Sequence, residues 1–510
     1  MFKDILKENR AFAWVLGACS AVALLPIWAV QYPPFVDYPN LLARTYVLRH
    51  LHDSGFQLAR YYGAHWAPYP YLALDVTVVS LQYLFTPAMA GRIFLSVCAL
   101  AIPLACWWFL KEANSGQQPL ALVSLLLVYN VFFLFGFLNF QLSVGLCLVV
   151  LTLWLRFVER PVLFRWVLML ASIQLLYFTH LMGFGMALLI VSFYALFSRR
   201  LFSRSMIATW VCFIPGFILY WLSRRGAPAS QFTTEFHFSL KDKLLALTAV
   251  LRGYSTPVDV ASYLLLAIGL VVCLWNNREL RIKRAWVATA AAILALYWIF
   301  PTGYSAGADA DKRLLPFVLL VGLAGVEFGR RTRVAVAVAL LVFSLRLVNV
   351  MQTFVAVQPQ LQELAASFAA APRGARVLPI INGPDERHVN RSYLHYWAYG
   401  TIQSDWFTPY LFAGEGVQVF QMRYRPYAPR EFYEYEYPRP LDWERVRADY
   451  DYVWVYNLPR FSPDLQRIGH LVYRTPHLEL YRIAPHSEPA CGKTAHVDCA
   501  NDTTKREPEA

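Results

Sequence analysis

From Ala11 to Val30 the chain runs for twenty residues without a charge, and similar apolar runs recur as far as about residue 357. A bilayer's hydrocarbon core asks for roughly 20 such residues in a helix. The pattern therefore predicts apolar helical segments near 11–30, 70–86, 90–110, 119–136, 138–157, 163–179, 181–198, 205–222, 258–275, 285–300, 314–328 and 333–355. After residue 358 the period changes. "ARVLPIING" (375–383), "YDYVWVYN" (450–457) and "HLELYRI" (477–483) read as short strands, and "LDWERVRADY" (441–450) as a helix. The expectation is a polytopic α-helical membrane protein of about 11–13 transmembrane helices with a C-terminal soluble α/β domain. Its parts are a membrane domain over 1–357 with a first outer loop at 31–70, an α/β domain over 358–485, and a disordered polar tail over 486–510.

Composition supports this reading. The chain is 57% hydrophobic and 15% charged, where a soluble domain carries roughly 25% charged residues. The net charge of +13 does not signal nucleic acid, because Arg and Lys gather in short loops between apolar runs, as the positive-inside rule requires. "NNRELRIKR" (276–284) and "GRRTR" (329–333) anchor the cytoplasmic side, which places "FLNF" (137–140), "THLMG" (179–183), the 223–257 connection, "TGYSAGADADKR" (302–313) and the C-terminal domain outside. The basic N-terminus then puts Asp37 outside as well, provided that 70–86, which contains Asp75, is re-entrant or interfacial. Six cysteines fall inside apolar runs; Cys491 and Cys499 lie in the tail and are able to pair in an oxidising compartment. No P-loop and no Cys/His metal spacing is present.

The unusual polar residues near the membrane fall on the outer face: Asp37, Arg44, Asn139, His180, Glu235, His237, Asp309, Asp311 and Arg313 among them. Such groups are costly in or beside a bilayer and are functional candidates for that reason. Pro33 and Pro34 stop the first helix and hold Asp37 just outside it. "YPNLLARTYVLRHL" (38–51) then reads as a helix lying in the interface, with Arg44 and Arg49 as cations. Asp37 has two readings, a general base or the cap of that helix. In the C-terminal domain, "NRSYLHYWAYGTIQSDWFTPYLF" (390–412) offers His395, Trp397, Asp405 and Trp406 either for an acceptor sugar or as core and membrane seat.

An apolar first span, an outer loop with an acidic residue and a helix, many further spans and a soluble C-terminal domain together resemble the GT-C glycosyltransferases of bacterial type. "VDYPNLLARTYVL" is similar to their first-loop motif and "GADADKRLLPF" (307–317) to their late outer loop. The resemblance implies an inner-membrane enzyme that moves a sugar from a polyprenyl-phosphate donor to a lipid or glycan acceptor. It implies Asp37 as catalytic base and Arg313 as donor-phosphate contact, with Arg44, Arg224 and Arg225 in reserve. No second acidic residue follows Asp37 closely, so no metal cofactor is favoured; Asp309 and Asp311 as ligands of Mg²⁺ or Mn²⁺ are the alternative. His180, Asn139, Glu235 and His237 are further candidate substrate contacts. The rival functions are an O-antigen ligase or polymerase-like enzyme, and a transporter or assembly partner for lipid-linked sugars, the last of which would place its polar site near the midplane.

Overall fold

The structure, a computed structural model, describes residues 2–225, 234–236, 238–304, 309–381, 393–414, 418–429, 441–456 and 462–484. Among these, seven helices are long and apolar enough to cross a membrane, and four shorter apolar helices accompany them. The chain is a multi-pass membrane protein. At the centre stands the segment Ser115–Phe135, 89% buried over its apolar window; Arg204–Ser223 and Thr256–Leu274, at 28% and 17%, form the rim. Rim side chains such as Phe217, Trp221, Leu264 and Ile268 are exposed, which for an apolar helix means a lipid-facing surface. Pro87–Ala113 packs against Leu138–Glu159. Their contact closes tightly at Gly145, where a Cβ would lie 2.7 Å from the Ala101 backbone.

The Pro-flanked segment near 70–86 forms a ten-residue helix, Leu72–Leu81, about 15 Å long and half of what a span requires. That length fits the re-entrant or interfacial segment that the charge pattern asks for. The helix ends at Gln82, and Thr86 caps the next one, Pro87–Ala113, by accepting from Met89 N–H.

The helix after Asp37 departs from expectation. Tyr38–His50 is not an interfacial helix with one wet face: Tyr38 to Asn40 and Leu42 to Leu48 are all buried. It lies between Leu72–Leu81 on one side and the C-terminal helix Ala398–Ser404 on the other. Arg44 explains the misreading, because its charge is neutralised inside the protein by Asp75.

Beyond residue 358, four strands pair in the order Val377–Ile381, Tyr452–Tyr456, Leu478–Ile483, Gly469–Arg474. The first pair is parallel and the others antiparallel. The two parallel strands are buried along their whole length, as their unbroken apolar runs require. Trp443–Asp449 forms the expected helix, capped by Asp442. The strand Gly469–Arg474 was not legible, because as an exposed edge it shows no apolar alternation. The first outer loop is built into this unit: Tyr62–Ala64 pairs antiparallel with Phe420–Met422, Tyr62 exchanges hydrogen bonds with Thr408, and Asn40 clasps the backbone of Tyr410 and Phe412. The tail from residue 485, with Cys491 and Cys499, lies outside the described residues.

Candidate active site

A single corner, Phe135 to Phe140, organises the site. Its glycine, a lone Gly between apolar runs, makes the turn at φ +93° that ends the helix Val131–Phe135. The chain ahead of Asp37 is stitched to this corner, since Val36 N–H donates to Leu134 O and Asp37 N–H to Phe135 O, at 3.2 and 2.9 Å. A Cβ on residue 136 would lie 2.9 Å from Asp37 Cβ and 3.0 Å from its nitrogen. Gly136→Ala therefore adds left-handed strain of about 1–2 kcal/mol to a direct overlap with Asp37. The expected result is a lower thermal midpoint together with reduced activity; an unchanged melting curve would show that the corner does not hold Asp37.

Asp37 stands at the position that precedes the helix Tyr38–His50, yet its side chain takes no hydrogen bond from that helix. The capping reading is thereby set aside. Its carboxylate is 20% exposed and its Oδ1 lies 3.4 Å from His395 Nε2. His395 is itself buried, carried by the turn before Ala398–Ser404.

The same corner holds the cation. Arg313, on the turn Lys312–Leu314, lays its guanidinium over Phe137 at 4.4 Å and over Phe140 at 5.6 Å. Burial lowers its pKa, and the nearby Tyr71, Asp309 and Asp37 oppose that shift; an arginine stays charged regardless. Its Nη1 lies 3.5 Å from His180 Nε2. His180 sits alone between two helices and caps the second, with Nδ1 accepting from Met182 N–H at 3.0 Å. A ring whose Nδ1 accepts carries its proton on Nε2 when neutral. Two donors thus point toward one another, a geometry satisfied by an anionic oxygen shared between them.

Tyr71, which the sequence did not single out, closes the cluster. Its ring meets His180 edge-on at 4.7 Å, and its backbone is held at φ +80°. Asn139, again from the corner, secures this strained residue by donating to Tyr71 O at 2.8 Å and accepting from Leu74 N–H at 3.0 Å. Left-handed non-glycine residues concentrate at functional sites. No local pattern marks Tyr71, whereas Gly136 was readable as a turn signal.

No family model matches the sequence, and no curated protein matches it. Among solved structures, the crystal structure of ArnT from Cupriavidus metallidurans bound to undecaprenyl phosphate aligns with a TM-score of 0.54 at 12% identity, over 92% of this chain and 97% of that one. The chain has the ArnT fold. That fold, many apolar helices followed by a small C-terminal sheet unit, is the architecture that the resemblance led one to expect, over the 92% of the chain that aligns.

Within the ArnT fold of this chain, the other sequence candidates have different places. Arg44 is not an open phosphate donor: Nε and Nη2 both donate to Asp75 Oδ1, at 3.0 and 2.7 Å, and Nη1 donates to Gln418 Oε1. Asn139 is a backbone clasp rather than a substrate contact. Trp397 and Trp406 are fully buried, which corrects their reading as sugar platforms, since a stacking ring needs an open face. Asp405 is likewise internal, accepting from Tyr46 Oη and from Arg373. Glu235 lies exposed on a two-residue strand paired with Gly303–Tyr304, and His237 is outside the described residues. Asp309 and Asp311 do not act as a pair, for Asp309 is held by Lys312 at 2.5 Å and Asp311 by the buried Lys243 at 2.6 Å. Among the described residues no three His, Cys, Asp or Glu converge as metal ligands. Arg224 and Arg225 lie over the rings of Tyr220 and Trp221.

Proposed function

We propose that the protein is an inverting glycosyltransferase that moves a sugar from a polyprenyl-phosphate donor to an acceptor hydroxyl at the outer face of a bacterial inner membrane. The observation that carries this reading is the hanging of Asp37 and the Arg313–His180 pair from one corner of an ArnT fold. In this mechanism the acceptor oxygen attacks the anomeric carbon, and the bond from that carbon to the phosphate oxygen breaks. Asp37 takes the acceptor's proton, His395 holds the carboxylate in place, and the departing phosphate keeps its charge against Arg313 and His180 Nε2–H. One displacement inverts the anomeric configuration. The polyprenyl phosphate is already a competent leaving group, so no dedicated acid is required. The mechanism asks for no divalent cation, and the C-terminal unit stands on the extracytoplasmic side with the donor and acceptor.

The polar cluster of Asp37, His180 and Arg313 lies where helices begin or end, and not along the interior of a span. That placement suits a reaction at one surface better than a midplane transport site. The test is donor affinity. The purified protein is expected to bind undecaprenyl phosphate, and Arg313→Gln to weaken that binding at least ~10-fold, the worth of one charge-assisted hydrogen bond. Absence of binding by the unaltered protein would reject the donor class; equal binding by the variant would remove Arg313 from the phosphate site.

A further inference from the structure

A cavity of 590 Å³ opens where the first outer loop meets the C-terminal sheet, lined by Arg60, Arg373, Arg376, Arg447, Arg482 and Asp451 among others. None of these residues belongs to the cluster around Asp37. Five guanidinium groups around one concave surface repel each other, so their balance decides what the cavity holds.

Two of the charges are cancelled. Arg376 and Asp451 form a two-point pair, Nη2 to Oδ1 at 2.8 Å and Nε to Oδ2 at 3.3 Å, and the hydrogen bonds that Arg376 donates to Asp451 raise its pKa. Arg373 leans on Asp405, which it meets at 2.7 Å, while its side chain stays 71% exposed. The remaining three are weakly held. Arg60 reaches the Gly374 carbonyl at 3.5 Å and covers the Tyr61 ring. Arg447 comes no nearer to a carboxylate than Glu444 at 3.8 Å, and its buried Nε has no hydrogen-bond partner. Arg482 is exposed on the strand Leu478–Ile483. Among the described residues neither Arg60 nor Arg482 has a carboxylate within ion-pair distance.

We propose that this cavity binds a small molecule carrying two or more phosphate groups, of the size of a phosphorylated saccharide. Guanidinium is the side chain whose fork matches phosphate oxygens, and two without a carboxylate partner, joined by Arg447, whose ion pair with Glu444 is long at 3.8 Å, exceed what a single phosphate engages. The volume falls within the roughly 300–1,000 Å³ of small-molecule sites, and a single concave patch of that size suits a compact ligand better than a long polyanion, which would need a stripe. Occupancy is also connected to the reaction cluster: Arg373 donates to Asp405, and Asp405 accepts from Tyr46 on the helix that begins beside Asp37. The same chemistry is offered by a soluble sugar bisphosphate and by a phosphorylated lipid headgroup, and the test separates them.

The probe is glucose 1,6-bisphosphate, titrated calorimetrically into the full protein in an uncharged detergent. The expected result is a one-to-one isotherm that glucose does not give, weakened at least ~10-fold in R447Q/R482Q, with R482E weaker than R482Q. Arg482 is exposed and Arg447 half-buried, and an unchanged thermal midpoint confirms that each variant is folded. Three results overturn the proposal: no binding of the bisphosphate, equal binding by the variants, or orthophosphate binding as tightly as the bisphosphate. Loss of the isotherm in nanodiscs rich in phosphatidylglycerol would assign the cavity to a lipid headgroup and overturn the soluble ligand. Because the readout is binding, it stands or falls separately from sugar transfer.

Discussion

Asp37→Asn will reduce sugar transfer by about 10²–10⁴-fold, the usual contribution of a positioned general base, while undecaprenyl-phosphate affinity stays within about twofold. The amide keeps the shape and hydrogen-bonding reach of the carboxylate but no longer accepts the acceptor's proton. The structure makes the substitution clean, because Asp37 neither caps its helix nor enters an ion pair closer than His395 at 3.4 Å. Its loop is held instead through the backbone, by Leu134 O and Phe135 O, and that backbone is unchanged in the variant. A capping aspartate would behave otherwise: its loss would cost about 0.5–2 kcal/mol of stability and leave the chemistry intact. The measurement is transfer of radiolabel from a panel of polyprenyl-phosphate sugars to a membrane-extract acceptor, beside a thermal melt. Equal transfer by the two proteins with a lowered melt would return Asp37 to the role of a cap and take the base out of the mechanism.

The spans were legible because lipid selects for composition alone: twenty uncharged residues from Ala11 to Val30 have few other uses. The buried strands Val377–Ile381 and Tyr452–Tyr456 were legible for a related reason, their apolar runs being continuous. What escaped was partnership. Arg44 looked like a cation on a wet face, and nothing local to "NLLARTY" says that Asp75, thirty-one residues away, meets it in the interior. Trp397 and Trp406 looked like sugar platforms because aromatics serve cores and binding sites alike, and burial separates the two uses only after folding. Asp37, Arg313 and His180 were each picked out as costly polar residues by a membrane, yet their meeting at Phe135–Phe140 depends on a turn that brings chain positions more than two hundred residues apart to one place. Tyr71 shows the limit most plainly, since its strain exists only in the company of Asn139 and Leu74.

Breaking the Arg44–Asp75 pair is expected to have the largest effect on stability. Both side chains are nearly inaccessible, at 6% and 2%, and Arg44 Nη2 lies 2.7 Å from Asp75 Oδ1. Removing one partner strands the other as a buried charge, at a cost of about 3–5 kcal/mol. Arg44→Met and Asp75→Leu should therefore each lower the thermal midpoint sharply in detergent. The double variant should recover most of that loss, because an apolar pair of similar volume avoids desolvating either ion. Recovery will be incomplete to the extent that Arg44 also ties the helix Tyr38–His50 to Gln418 across the boundary with the C-terminal unit. The double variant also decides between two roles for Arg44. As an internal strut it leaves undecaprenyl-phosphate binding near normal once the fold is restored, whereas a phosphate ligand would take donor affinity away from a protein that melts normally. A stable double variant with lost donor binding would move Arg44 into the reaction site beside Arg313; a double variant no more stable than the singles would mean that the ion pair is not what holds these two helices together.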